Sequence, residues 1–254
     1  MTGRLAVVGL GPGPSDQLTP QAAAALAEAG ELFGYGPYLD RVPARPGQPR
    51  HVSDNREELA RAGAALRRAA EGASVALVSG GDPGVFAMAA AICEAIEAGP
   101  PPWRAVDLLV VPGVTAALAL AARLGAPLGN DFCLLSLSDN LKPWETIERR
   151  LAAAAGAGFA IAIYNPISRA RPWQLGRAFA CLGEHLPATT PVALGRLVGR
   201  DGERVTMTSL AEADPAMADM ATCIIVGSAT TRMVERPGLP PLVYTPRSVR
   251  EASA

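Results

Sequence analysis

Lysine is almost missing from this chain: Lys142 is the only one in 254 residues, and arginine supplies the remaining positive charge. Two explanations stand side by side, GC-rich coding, which also accounts for the abundant alanine, and a need for planar guanidinium forks that grip carboxylates. Histidine is nearly as scarce. With only His51 and His185, widely separated, a histidine-centred zinc site or a serine–histidine triad has little to build on. The four cysteines, Cys93, Cys133, Cys181 and Cys223, form no C-x-x-C pair and have mostly apolar neighbours. They read as small buried hydrophobes in a reducing compartment, not as a disulfide framework or a metal site. Charge of one sign is not in excess either: the net charge is −1, without the concentrated positive surface that sequence-independent nucleic-acid binding requires. No apolar run approaches the roughly 18 residues of a membrane span, and the run in MTGRLAVVG is too short for a signal peptide. The expectation is a cytoplasmic protein with neither a nucleic-acid nor a membrane partner.

What the chain does have is apolar residues, at 49% against 19% charged, which is enough to fill a core and far from a disordered composition. Short apolar runs alternate with alanine-rich helical stretches. LAVVG reads as a buried strand, and TPQAAAALAEAG as a helix with Thr19 as N-cap, Pro20 at the first position and Gly30 past the end. ELFGY, SVALVSGG and DLLVVPG read as further strands. NREELARAGAALRRAAEG, GVFAMAAAICEAIEAG and VTAALALAARLG read as helices between and after them. This alternation predicts an α/β fold with a mostly parallel sheet covered by helices. APLGNDF (Ala126 to Phe132) interrupts it and reads as a linker, after which FCLLSLS, WETIERRLAAAA, FAIAIYNP, QLGRAFACLGEHL, PVALGRLVG and TCIIVGS resume the pattern. The expected domains are 1–128 and 129–254. GERVTMTSL alternates with period 2, as a half-solvated antiparallel strand does, so the second sheet is expected to be mixed. The residues after LVYTP read as a frayed tail.

Three strand ends carry the candidate chemistry. In VVGLGPGPSDQLTP the glycines fall on alternate positions, Pro14 stands where a dinucleotide fingerprint needs its third glycine, and the helix starts only near Pro20. No Walker lysine follows. Pro12 and Pro14 have no N–H, so the loop is a poor phosphate cradle and suits a rigid wall better. In SGGDPGVFAMA, Gly80 and Gly81 permit close backbone approach to a ligand, and Asp82 is either a ligand contact or simply the N-cap of a D-P-G turn. In VVPGVTAALALAARLGAP, Thr115 and Ala116 open a helix of small residues, which either makes room for a flat ligand or packs tightly on a sheet.

These three stretches, in this order, together with the strand end IAIYNP and the late IIVGS, resemble the tetrapyrrole (corrin and porphyrin) methyltransferases over nearly the whole chain. GYGPYLD and NDFCLLSLSDNLKPWETIERRL are similar to the subgroup that methylates C17 of a corrin precursor in cobalamin biosynthesis while contracting its ring. The resemblance implies two α/β domains of the tetrapyrrole methylase, class III methyltransferase type, with the active site in a cleft between them. It implies S-adenosyl-L-methionine as methyl donor, S-adenosyl-L-homocysteine as product, a small-molecule tetrapyrrole as substrate, and a homodimer. Carried over position by position, the donor contacts fall on Pro12, Gly80, Gly81, Asp82, Val85, Thr115, Ala116, Asn165 and Leu197. Many members of the family have an apolar residue in place of Asn165, which leaves its role open.

Ring contraction requires proton movement, so a general acid or base is expected at the substrate. Asp16 in the first loop, and Asp139 and Lys142 in SLSDNLKPWE, are the candidates, each alternatively a solvated loop residue or a helix cap. Arg169, Arg171 and Arg196 at strand ends are the candidate forks for the substrate's carboxylates, or else ordinary surface arginines. No metal is expected. Competing readings are a methyltransferase for the cobalt-containing precursor or another ring position, a nucleotide-dependent dehydrogenase with an unusual loop, and a tetrapyrrole-binding scaffold. The dehydrogenase needs an acidic residue after its second strand, where this chain has Gly36 and Pro37.

Overall fold

The computed structural model describes residues 3–54 and 57–248 and divides the chain into two units, Met1–Thr115 and Ala116–Ala254. The first unit runs β1 (Arg4–Gly9), α1 (Pro20–Glu28), β2 (Glu31–Tyr35), α2 (Gly36–Leu39), β3 (Arg50–Ser53), α3 (Glu58–Ala70), β4 (Ser74–Ser79), α4 (Met88–Ala98) and β5 (Asp107–Val111). Its sheet has the order β3-β2-β4-β1-β5, and every pairing is parallel. Both faces are covered, which is why β1 and β4 read as unbroken apolar runs. Leu5, Val7, Val75 and Leu77 face Ala62, Ala65 and Leu66 of α3 and Ile92 of α4, whereas Ala6, Val8, Ala76 and Val78 face Ala22 and Leu26 of α1. Truncating a fully buried leucine such as Leu5 or Leu77 to alanine costs about 2–5 kcal/mol.

Local rules explain most of the element ends. Thr19 caps α1 by accepting the Ala22 N–H at 3.1 Å, with Pro20 at the first helical position. α4 begins at Met88, not at Gly84, so Asp82 is not its N-cap. β3 is short and polar, lying at the sheet edge with His51 stacked on Phe33 and 3.0 Å from Glu31. Nothing in RHVS alternates or runs apolar, and it was not expected as a strand. Of the stretch read as the second helix, Asn55 and Arg56 lie outside the described residues, as do residues 249–254 of the expected tail.

The second unit contains α5 (Ala116–Leu124), β6 (Gly125–Ala126), β7 (Phe132–Ser136), α6 (Trp144–Gly156), β8 (Ala160–Tyr164), α7 (Gln174–Gly183), β9 (Pro191–Arg196), β10 (Arg204–Ser209), β11 (Thr222–Val226), β12 (Arg232–Arg236) and β13 (Leu239–Tyr244). Its main sheet is mixed, in the order β10-β9-β11-β8-β7. β10 pairs antiparallel with β9, as its alternation predicts, and β11 is antiparallel to both β9 and β8. Ile147 and Leu151 of α6 and Leu175, Phe179 and Leu182 of α7 pack on Ile161, Ile163, Leu194 and Ile224. A second sheet joins β12 and β13 as a hairpin, with β6 parallel to β13.

The division falls after Thr115, ahead of the boundary expected near residue 128. The helix α5 packs on β11, and at Gly195 of β9 an added Cβ would lie 2.6 Å from Leu120 Cδ1, so glycine is what lets α5 sit this close. β6, inside the expected linker, pairs with β13. Cys223 is buried, and burial pushes its thiol up to about 12. Cys133 and Cys181 are partly buried, but Cys93 is exposed on α4, against the expectation for all four. Among the described residues no helix is long and apolar enough to cross a membrane.

Candidate active site

In the first unit the loops after β1, β4 and β5 meet at the C-terminal edge of the parallel sheet. The Leu10 N–H donates to Ser79 O at 2.9 Å, while Gly11 and Gly81 exchange backbone bonds of 3.1 and 2.9 Å. Arg41 Nη2 donates to Leu10 O at 2.8 Å and Gly11 O at 2.9 Å. The backbone N–H and carbonyl groups of Leu10 and Gly11 are thus engaged within the chain, and the loop's two prolines offer no donor.

The glycines are needed for contact. An added Cβ on Gly9 would lie 2.7 Å from Gly113 N and 2.8 Å from Gly81 O, and one on Gly113 would overlap the Gly81 carbonyl. Gly11 and Gly81 also have φ of +67° and +64°, which side chains rarely adopt. Asp82 links the second and third loops: Oδ1 accepts from Gly84 N at 2.7 Å and Oδ2 from Gly113 N at 3.0 Å. Asp82 thus closes the D-P-G turn without capping the helix, and each carboxylate oxygen retains a further lone pair. Pro12 and Thr115 are buried, while Gly80, Val85 and Ala116 are partly exposed. Tyr38, from the GYGPYLD stretch, covers Gly80 so closely that an added Cβ would be 2.7 Å from its ring. Asp16 lies exposed in a 3-10 turn, Ser15–Gln17.

In the second unit, β8 and β9 both run antiparallel to β11, and β7 runs parallel to β8, so Ser136, Tyr164 and Arg196 end on one edge of that sheet. The N-terminus of α5 is tied to this edge, because Ala117 N donates to Tyr164 Oη at 2.8 Å. Asn165 directly follows Tyr164, and Leu197 directly follows Arg196, on that edge. Asn165 and Leu197 have φ of +50° and +52°, and Asn165 Nδ2 donates to Ser136 Oγ at 2.9 Å. Phe86 is the third non-glycine residue in this region, at φ +51°, and is about half exposed beside Val85. Such conformations cost about 1–3 kcal/mol each and concentrate at ligand sites. No motif distinguishes Phe86 or Arg41, in RVPAR, from ordinary surface, and GYGPYLD does not single out Tyr38 from its neighbours.

The candidate catalytic and substrate residues are partly brought together. Arg171 pairs with Asp139, and its Nη1 donates to Asn140 Oδ1 at 2.8 Å. Lys142 is partly buried, and its pKa is lowered by that burial and by Arg150, so its amine gives up a proton more readily than an ordinary lysine. Arg196 Nε donates to Asp219 Oδ2 at 2.7 Å. Burial opposes the charge on Asp219, but bonds from Arg196, Thr222 and Ala221 N hold its carboxyl below the usual range. Arg171 and Arg196 therefore already have carboxylate partners within the chain. Arg169 is exposed and makes no ion pair among the described residues.

These strand ends suit a ligand without phosphates: close-approach glycines, a committed backbone and one acidic side chain. S-adenosylmethionine has that character. Comparison with known proteins points the same way. Residues 4–214 match the model of the Tetrapyrrole (Corrin/Porphyrin) Methylases. The chain is 64% identical to a precorrin-3B C(17)-methyltransferase from Sinorhizobium sp. over 253 residues, covering 100% of both chains. It is 39% identical to a probable cobalt-factor III C(17)-methyltransferase from Salmonella typhimurium, over 95% of this chain and 99% of that one. The crystal structure of the methyltransferase CobJ superposes with a TM-score of 0.91 at 48% identity, covering 96% of this chain and 100% of that one. With its three glycine-marked strand ends and this match across most of its length, the chain belongs to the tetrapyrrole (corrin/porphyrin) methylase family.

Proposed function

We infer that this chain transfers a methyl group from S-adenosylmethionine to C17 of precorrin-3B, with contraction of the macrocycle to precorrin-4, in cobalamin biosynthesis. The observation that carries this reading is full-length identity of 64% to a precorrin-3B C(17)-methyltransferase. Identity to the cobalt-factor III relative is 39%, which favours the cobalt-free substrate and keeps the cobalt-containing one as second reading. The protein acts as a homodimer in the cytoplasm.

The donor, when bound, supplies an electrophilic methyl on a sulfonium, so the chain's own task is alignment. Positioning of this kind lowers barriers by about 7–11 kcal/mol in the best cases. Pro12, Gly80 and Gly81 would hold the donor together with Asp82, whose carboxylate could accept from its ribose or amino group, and Asn165 would offer an amide to its adenine or amino-acid end. Lys142, with its lowered pKa, and Asp139 exchange protons with the substrate during contraction, and Asp16 is the third candidate. Arg169 is the fork best able to take a substrate carboxylate; Arg171 and Arg196 serve only by sharing or releasing Asp139 and Asp219.

Calorimetric titration tests the donor assignment. One S-adenosylhomocysteine per chain with no heat from NADPH is the expected result, and heat from NADPH without heat from S-adenosylhomocysteine would overturn the donor assignment.

A further inference from the structure

The loop between β7 and α6 is laced to the loop between β8 and α7 along its length. Leu137 N donates to Tyr164 O at 3.0 Å, Asn165 Nδ2 to Ser136 Oγ at 2.9 Å, and buried Gln174 donates through Nε2 to Leu137 O at 2.9 Å. Further out, Arg171 takes both Asp139 and Asn140, and Trp173 meets Trp144 edge-on with ring centroids 4.8 Å apart. Arg171 is itself fixed, its N–H donating to Ser168 O at 3.0 Å. Between these ties stands the tip, Leu141 and Lys142. Leu141 is 94% exposed, the most exposed large hydrophobic residue among those described.

We propose that Arg171 is a positioning residue: its guanidinium, bridging Asp139 and Asn140, holds the loop so that Leu141 and Lys142 meet the tetrapyrrole already ordered. Leu141 is then the apolar contact for the macrocycle. The inference rests on the proposed activity for the identity of the ligand, and on the contacts within the chain for the brace. A guanidinium suits this role because its planar fork reaches a carboxylate and an amide at once, which an ammonium does not. It also explains why a strand-end arginine placed like a substrate fork spends its donors inside the chain.

The test uses Asn140→Ala, Arg171→Lys and the double variant. The expected result is that each single change lowers kcat/KM for the tetrapyrrole by about tenfold to a hundredfold, a cost typical of small misplacements. The double variant should be no worse than Arg171→Lys, because both changes cut one tie. Affinity for S-adenosylhomocysteine should stay within about twofold of wild type. A silent Asn140→Ala beside a damaging Arg171→Lys would make Arg171 a direct substrate fork and overturn the proposal, as would effects that multiply. Hydrogen exchange reads the brace without turnover. Amides of residues 138–142 should exchange about tenfold faster in Asn140→Ala than in wild type, and unchanged exchange in both single variants would also overturn it. Failure of wild-type turnover on every tetrapyrrole tested would count against the proposed function and leave the exchange result to decide the brace.

Discussion

Gly113 has no space for a methyl group, and the reason lies in two other residues, since Gly9 and the Gly81 carbonyl occupy the space a Cβ would take. Gly113→Ala is expected to destabilise the protein by about 1–3 kcal/mol, as overpacking does, because the obstructing atoms are backbone and cannot swing aside. It should also weaken S-adenosylhomocysteine binding, because the obstructed junction holds Asp82. Urea denaturation and calorimetry on the same preparation check both. Stability and affinity equal to wild type would mean the third loop moves freely. The left-handed residues differ in cost: asparagine tolerates φ near +50°, so Asn165 is less strained than Leu197 or Phe86. Leu197 N is bonded to Ala221 O at 3.1 Å, and its carbonyl accepts from Arg200 N at 2.8 Å, which pins the turn from both sides.

Among the elements, the β2–β3 edge depends on charge. Glu31, at the start of β2, takes Arg68 of α3 and His51 of β3. The hydrogen bond from Arg68 is the main cause holding its carboxyl below the ordinary 4.5, with burial opposing. A depressed carboxylate contributes stability above its unfolded pKa and loses it as pH falls through the folded value. Glu31→Gln should therefore melt a few degrees below wild type at pH 7, and the two curves should converge as pH drops below about 4.5. A difference that stays the same from pH 7 down to the acid limit of the folded state would show that packing, not charge, ties this edge.

Buried elements were readable and exposed ones were not. β1, β4, β8 and β11 are apolar because both faces are covered, and β10 alternates because it is the half-exposed edge. β3 and the β12–β13 hairpin are short, solvent-facing and polar or proline-containing, so their pairing follows from tertiary context and not from local pattern. GVFAM is apolar enough to extend α4 toward Gly84, yet the helix starts at Met88 because Phe86 adopts a left-handed conformation that no helix accepts. For the site, the loops stood out by their glycines, whereas the engagement of Asp82, Arg171 and Arg196 with partners inside the chain depends on contacts distant in sequence.

For the molecule as a whole, the chain combines two units with different sheets, one wholly parallel and one mixed. The reaction itself is read most directly by incubating the purified protein with cobalt-free precorrin-3B and S-adenosylmethionine labelled with carbon-13 in the methyl group, then recording mass and carbon-13 spectra of the product. A gain of one methyl unit with the label on C17 of a contracted ring is the expected result. An unchanged tetrapyrrole, or methylation only when the cobalt-containing precursor is supplied, would contradict the assignment.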